Sequence, residues 1–406
     1  MEHKLSILEV VQCGACLSPA MELVHDFGKV PLAGYFPRPY EQENELLSMR
    51  LLKCARCELY QISPDIDQGL LFNDYRYVSS VGMQPHFSRL SQWFIDFFQP
   101  SKDAKIVEFG CNDGPLLHSL KQGGFSPVGV DPATNIVELA NLKGLHVIND
   151  YFNQESVDKY KELQNIDFLF SSNSFAHISK IHEVASAVAN SLSETGLFIV
   201  EVQSFYDLIK LNAIDFIYHE HKYYYSLISI ENLMKRFELH LIHGEKIDVH
   251  GGSYRLIFSK QAKTKSLELK ELEKNENLNL ITTARVIAAI ELYKKEIAKT
   301  KEYLHSLTAM KGPIVAFGAS GRGNMILGEL KVGIETVEYV IDESPERIGR
   351  AMAQSGIPIK ALSSLNEVPN TEVLILAWNY KTQILDKWPS RKYKFIVPLP
   401  EFELIE

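Results

Sequence analysis

The stretch from Lys105 to Asp131, KIVEFGCNDGPLLHSLKQGGFSPVGVD, constrains the fold more than any other part of the chain. Ile106, Val107 and Phe109 predict a short buried strand, which the turn Gly110-Cys-Asn-Asp-Gly114 breaks. Pro115 stands where a helix starts, because its missing N–H is no loss in a first turn. The helix closes at Gly123-Gly124, and a second strand, Pro127 to Val130, ends on Asp131. A strand, a glycine loop, a helix and an acid-tipped strand make the framework of a nucleotide-type cofactor site. Glycine lets the backbone approach the ligand, and an acid about 20 residues on takes a ribose hydroxyl pair. The dinucleotide pattern G-x-G-x-x-G fails here, since Asn112 and Pro115 occupy its second and third glycine positions. Glu108 before the loop and Asp113 inside it put negative charge where a pyrophosphate would lie. A cofactor with no phosphate and a cationic centre suits that charge, which points to S-adenosylmethionine held around Glu108, Gly110, Asn112, Asp113, Gly114 and Asp131. A mononucleotide site or a fold without ligand is the alternative.

Strands and helices keep alternating beyond Asp131. Asn135–Leu142 predicts a helix and His146–Ile148 a third strand, ending at Asn149-Asp-Tyr-Phe152. An acid at that strand tip can accept from an adenine amino group, so Asp150, flanked by Tyr151 and Phe152, joins the candidate set. Ile166–Phe170 is a fourth strand followed by Asn173 and His177; Ile181–Leu192 is a helix and Leu197–Val202 a fifth strand. Residues 239–249 and 254–259 read as two strands with no helix between them. This pattern predicts a doubly wound α/β sheet ending in an antiparallel pair, as in class I methyltransferases, with ligands at the carboxyl ends of its strands.

Four of the five cysteines form Cys13-Gly-Ala-Cys16 and Cys54-Ala-Arg-Cys57. Two such knuckles turn four thiolates toward one point and fill a tetrahedral zinc site, leaving no open position for catalysis. A redox dithiol is the alternative. The formal charge of −9 offers no basic stripe for phosphates, which argues against nucleic acid. No apolar run reaches the roughly 18 residues of a membrane span. The N-terminus MEHKLSILEVVQC lacks the features of a leader, so a cytoplasmic protein is expected.

After the fifth strand comes Tyr218-His-Glu-His221-Lys-Tyr-Tyr-Tyr225. H-E-H lacks the i, i+4 spacing that aligns metal ligands on a helix. Histidine titrates near neutrality, so acid/base chemistry is the sharper reading, with either His221 or His219 as the base. A surface aromatic loop is the plainer one. Lys263 to Met310 carries near-heptad apolar spacing and predicts one or two amphipathic bracing helices. A second α/β unit then begins: Ile314–Phe317 as strand, Gly318-Ala-Ser-Gly-Arg-Gly-Asn324 as glycine loop, Met325–Leu330 as helix, Val337–Ile341 ending at Asp342, and Val373–Ala377 before Trp378-Asn-Tyr380. Backbone amides at a helix start, with Arg322 and no carboxylate, suit a diphosphate. Gly318, Ser320, Asn324, Asn379 and Tyr380 complete that set. An NAD site or a loop with no ligand is the alternative.

The two knuckles, YRYVSS, VEFGCNDG, VGVDPA, NSFAHI, FIYHEHKYYYSL, HGGSYR and FGASGRGN together resemble the three-domain S-adenosylmethionine-dependent sugar C-methyltransferases of deoxysugar biosynthesis. The resemblance covers nearly the whole chain. It implies a zinc-binding domain over 1–75, a methyltransferase domain over 76–260, a helical linker over 261–311 and a Rossmann-like substrate domain over 312–406. It implies a nucleotide-diphosphate sugar, a 4-keto deoxysugar methylated at C-3, lying between the middle and C-terminal domains, and it adds Pro132 to the cofactor set. It further implies catalytic roles for Tyr218, Glu220 and His221, with His177 and a tyrosine of the 75–77 loop, Tyr75 or Tyr77, nearby. His221 is then the base, Glu220 its orienting partner, and the tyrosines the oxyanion donors. A monomer is expected. An NAD-dependent oxidoreductase using the C-terminal loop and a zinc-bearing RNA methyltransferase are the competing classes.

Overall fold

The computed structural model of the 406-residue chain describes residues 7–38, 46–66, 78–367, 372–388 and 393–405. Tyr75 and Tyr77 lie outside the described residues. The chain sorts into two compact units that interleave in sequence: 1–22, 52–206 and 222–281 in one, and 23–51, 207–221 and 282–406 in the other. Among the described residues no helix is long and apolar enough to cross a membrane.

The first unit is built on seven strands: β1 (Ile106–Phe109), β2 (Val128–Val130), β3 (His146–Ile148), β4 (Ile166–Ser172), β5 (Leu192–Gln203), β6 (His240–Ile247) and β7 (Ser253–Ser259). Their order is β6-β7-β5-β4-β1-β2-β3. Pairings among β1 to β5 are parallel, whereas β7 runs antiparallel to both β5 and β6. The order reverses between β1 and β4, which opens the crevice at the strands' carboxyl ends where doubly wound sheets take ligands. This is the class I methyltransferase sheet. Phe109, Phe170, Phe198 and Phe258 are fully buried within it, and their burial is the apolar drive that fixes the strand register.

Helices α1 (Ser80–Phe98), α2 (Pro115–Gln122), α3 (Thr134–Leu142), α4 (Gln154–Lys159), α5 (Ile181–Ser191), α6 (Leu227–Lys235) and α7 (Leu267–Leu278) also belong to this unit. Helix α1 begins at Ser80 and carries Pro85 inside, although nothing local marks its start. The cause is tertiary capping. Asn112 Oδ1 accepts from Ser79 N at 2.8 Å and Asp113 Oδ1 from Ser80 N at 3.0 Å, which satisfies first-turn amides that no local residue caps. The two cysteine knuckles pack in the same unit, where His182 of α5 and the Ala15 carbonyl meet at 2.8 Å.

The second unit contains α8 (Thr283–Lys311), β8 (Ile314–Phe317), α9 (Gly321–Leu330), β9 (Val337–Asp342), β10 (Ile359–Ala361), β11 (Glu372–Ile375), α10 (Lys381–Lys387), β12 (Lys394–Val397) and β13 (Glu403–Ile405). The sheet runs β10-β9-β8-β11-β12-β13, parallel except for β13. The switch of order between β8 and β11 again marks a crevice, with the Gly318–Asn324 loop and Trp378 at its strand ends.

Candidate active site

In the first unit the glycine loop is shaped by contacts that only glycine permits. A Cβ on Gly110, whose φ is +65°, would lie 2.3 Å from Ser174 Oγ; one on Gly114, φ +77°, would lie 2.4 Å from Leu145. Asn112 also takes a left-handed φ of 52°, and Asp131 explains how. Asp131 Oδ2 accepts from Asn112 N at 2.8 Å, while Oδ1 accepts from Ala133 N at 2.9 Å. The acid predicted to meet a ribose thus also ties the loop to its own strand. Burial pushes its carboxyl above the ordinary range, although both amides pull the other way.

Glu108 lies wholly inside, and burial, then repulsion from Glu201 and Asp131, pushes its carboxyl well above the usual range. Its Oε2 is a buried atom with no hydrogen-bond partner, and so is Nδ2 of Asn173 at the end of β4. Stranded buried polar atoms are costly. A cation beside Glu108 and an acceptor beside Asn173 would relieve both, so this donor set fits S-adenosylmethionine.

Other residues of the predicted cofactor set behave differently. Asp113 is spent on capping α1 and on Lys143, which pairs with its Oδ2. Phe152 differs from the expectation of a ligand contact: it is buried and stacked on Phe109 at 4.6 Å and 13°, because the strand tip turns its ring into the core. Asp150 pairs with Lys159 at 3.1 Å and accepts from the Tyr160 hydroxyl at 3.2 Å. Tyr151 is exposed and Pro132 half-buried. His177 sits half-buried in the turn Phe175–His177, its N–H on the Ser174 carbonyl at 3.0 Å.

Sequence reasoning missed a buried network behind this crevice. Glu201 of β5 meets His86 Nε2 at 2.7 Å and accepts from Arg255 Nε at 2.9 Å; Arg255 also reaches Glu245 at 2.7 Å. Burial alone would raise Glu201, but His86 and Arg255 prevail and hold it below the ordinary value. A lone charge in the apolar run FIVEV was its signal.

The knuckles converge as their spacing predicts. The four Sγ atoms of Cys13, Cys16, Cys54 and Cys57 lie within 4.8 Å of one another, all buried. Amides of Cys16 and Arg56 point at the Cys13 and Cys54 sulfurs at 3.5 and 3.4 Å. The hydrogen bond from Cys57 pulls the Cys13 thiol down to about 5 and pushes Cys57 up. A closed set of four sulfurs supported by backbone donors fits tetrahedral zinc. Cys111 is buried against Gly129, and burial pushes its thiol up, as suits a packing residue.

In the second unit, the strip after residue 207 carries the histidines. His221 Nδ1 lies 3.0 Å from the Phe216 carbonyl and Nε2 lies 3.0 Å from the Tyr218 hydroxyl. A carbonyl only accepts, so Nδ1 carries the proton. Nε2 is therefore the basic nitrogen, and Tyr218 donates to it. His219, by contrast, is buried with Nε2 3.0 Å from the Ser48 carbonyl. That placement favours His221 over His219 as the base. Glu220 is held by Gly34, whose amide donates to Oε1 at 2.5 Å. The group that orients the His221 ring at Nδ1 is thus a backbone carbonyl.

Arg322 also differs from its expected role as a cation open to a diphosphate. It is buried, and its Nε donates to Asp215 Oδ2 at 2.7 Å. The glycine loop around it is faced by its own unit: a Cβ on Gly321 would lie 3.3 Å from Ala33, and Asn324 Nδ2 donates to the carbonyls of Ala33 at 2.8 Å and Tyr35 at 3.1 Å. Gly318 takes a φ of +98° with Ala377 beside it, and Ser320 caps α9 through Gly323 N at 3.2 Å. A loop packed in this way gives little support to the dinucleotide alternative. Asn379 bonds the Tyr380 side chain, which is partly exposed.

Residues 83–243 match the methyltransferase domain family, and residues 248–400 match the family described as the C-methyltransferase C-terminal domain. The chain is 29% identical over 408 residues to the C-methyltransferase NovU of Streptomyces niveus, covering 97% of this chain and 96% of that protein. Similar solved structures include a Haloferax volcanii complex of the Trm112 methyltransferase activator with a putative methyltransferase, 14% identical, covering 45% of this chain and 94% of that one at a TM-score of 0.38. Another is the magnesium protoporphyrin IX methyltransferase of Synechocystis PCC 6803 with bound SAM, 15% identical, covering 45% and 81% at a TM-score of 0.34.

Proposed function

Because the chain belongs to the S-adenosylmethionine-dependent C-methyltransferases, we propose that it methylates C-3 of a nucleotide-linked 4-keto deoxysugar through an enolate. The observation that carries this reading is the placement of His221, with Nδ1 3.0 Å from the Phe216 carbonyl and Nε2 3.0 Å from the Tyr218 hydroxyl. Carbon becomes nucleophilic only when a neighbouring ketone lets its C–H ionise. Such a reaction needs a base, a donor for the oxyanion and a methyl group in line behind the carbon.

His221 takes the proton on Nε2. The Tyr218 hydroxyl, which rests on that nitrogen, turns to the ketone oxygen when substrate arrives. One movement thereby bares the base and supplies the oxyanion donor. Glu220 balances the imidazolium charge from its anchor on Gly34. His177 contacts the sugar, and Tyr75 or Tyr77 provides a second donor. The diphosphate is assigned to the strand ends of the second sheet, where Gly318, Ser320, Asn379 and Tyr380 stand.

Glu108, Gly110, Asp131 and Asn173 would hold the cofactor, with Asp150 toward adenine. S-adenosylmethionine supplies an electrophilic methyl group on a positively charged sulfur. A zinc held by the four cysteines is structural, since protein sulfur fills every position. The test is incubation with labelled cofactor and a panel of nucleotide-linked 4-keto sugars. The reading requires label on the sugar, and loss of both methylation and solvent exchange of the C-3 hydrogen in His221→Asn. Normal exchange in that variant would remove His221 from the role.

A further inference from the structure

Behind the His221 strip lies a buried ion pair that the reaction scheme does not use. Asp215, in the turn Ile214–Phe216, is fully buried. Its Oδ2 accepts from Arg322 Nε at 2.7 Å and Trp378 Nε1 at 3.0 Å, and Arg322 Nη2 lies 2.6 Å away. The guanidinium lies over two rings: Cζ is 3.7 Å from the Phe216 ring centre and 4.6 Å from that of Trp378. Phe216 then continues the stack to His221, whose ring is within 13° of parallel at 6.2 Å. The Phe216 carbonyl is the group that fixes the His221 tautomer.

Stability alone is a weak reason for such a pair. Asp215 Oδ1 and Arg322 Nη1 are buried without hydrogen-bond partners, and well-packed apolar residues commonly hold a fold as well as a buried ion pair does. What a charged, planar guanidinium lying over two rings adds is a fixed orientation for those rings. We propose that Asp215 and Arg322 are positioning residues for the methylation base, clamping Phe216 so that its carbonyl holds His221 with the proton on Nδ1.

This inference rests on His221 being the base, so its test reads the imidazole directly. Nitrogen-15 NMR of the full chain at about pH 8.5, well above the usual histidine range, identifies the His221 signals by their loss in His221→Gln. The proposal requires a single Nδ1-protonated tautomer in the natural protein, and a mixture of tautomers in Asp215→Asn and Arg322→Lys. It also requires kcat with a thymidine-diphosphate 4-keto-6-deoxyhexose to fall tenfold or more in both, with KM and cofactor affinity within about threefold. Trp378→Phe keeps an aromatic ring at that position and removes one donor, so its kcat falls less. An Nε2-protonated His221 in the natural protein, measured whether or not the variants fold, overturns the proposal. An unchanged tautomer in either folded variant does so too. If the natural protein methylates no keto sugar, the substrate reading fails while the tautomer measurement still decides the clamp.

Discussion

Replacing Asp131 by Asn tests the double role of the acid at the end of β2. Each carboxylate oxygen holds a backbone amide, Asn112 N at 2.8 Å and Ala133 N at 2.9 Å. Asparagine offers only one oxygen, so one amide faces an NH2 group and is stranded in a buried place. A stranded buried donor costs about 1–3 kcal/mol, which in a unit of this size lowers Tm by roughly 2–12 °C. A hydrogen bond to a charged acceptor is worth about 1.5–3 kcal/mol, so losing the charge at the ribose weakens cofactor affinity about 10- to 100-fold. Differential scanning calorimetry and titration calorimetry with S-adenosylhomocysteine read the two effects separately. An unchanged Tm would refute the clamp on the loop. A lowered Tm with unchanged affinity would show that the ribose is held elsewhere.

Four further outcomes are expected. Glu108 carries a raised pKa from burial and from Glu201 and Asp131, so the folded state keeps a proton that the unfolded chain loses. Stability of the ligand-free protein therefore falls as pH rises from the ordinary glutamate value toward the raised one. Glu108→Gln should flatten that slope, and an undiminished slope in melting curves would count against it. A cation ionises the same carboxyl, so titration calorimetry in two buffers should detect proton release with S-adenosylmethionine that is smaller with the uncharged S-adenosylhomocysteine. Metal analysis should find about one zinc per chain, and Cys54→Ser should lose it with a lower Tm; fully folded, metal-free natural protein would end the zinc assignment. Tyr218→Phe should slow both methylation and solvent exchange of the C-3 hydrogen by about 10²–10³, the usual loss for one oxyanion donor, because both pass through the enolate; slow exchange persists because His221 remains as the base. Loss of exchange in that variant would make Tyr218 itself the proton carrier.

What was legible in the sequence was what repeats locally. The buried run at 106–109, the glycine turn and the acid at 131 placed the first crossover, and the terminal antiparallel strands at 240–247 and 253–259 followed from apolar runs without an intervening helix. The knuckle spacing was enough to bring four sulfurs together. What could not be read was whatever depends on a distant partner. The start of α1 is set by side chains of Asn112 and Asp113, so no local cap announces it. In the sequence Arg322 stands as an open cation, because the carboxylate that neutralises it is Asp215, 107 positions away. The orientation of His221 comes from the Phe216 carbonyl, and a backbone acceptor leaves no trace in residue identity. The strands at 359–361 and 394–397 are too short for periodicity to register. Glu201 was legible in principle, as a lone charge in an apolar strand that had to find a buried partner.

In the proposed reaction the transferred methyl becomes bonded to carbon beside a ketone. The most direct measurement uses S-adenosylmethionine with a carbon-13 methyl group, a nucleotide-linked 4-keto-6-deoxyhexose enriched at its ring carbons, and NMR of the product. C-methylation predicts a one-bond carbon–carbon coupling between the new methyl and C-3. A methyl signal without that coupling, at the shift of an oxygen- or nitrogen-bound methyl, would contradict it.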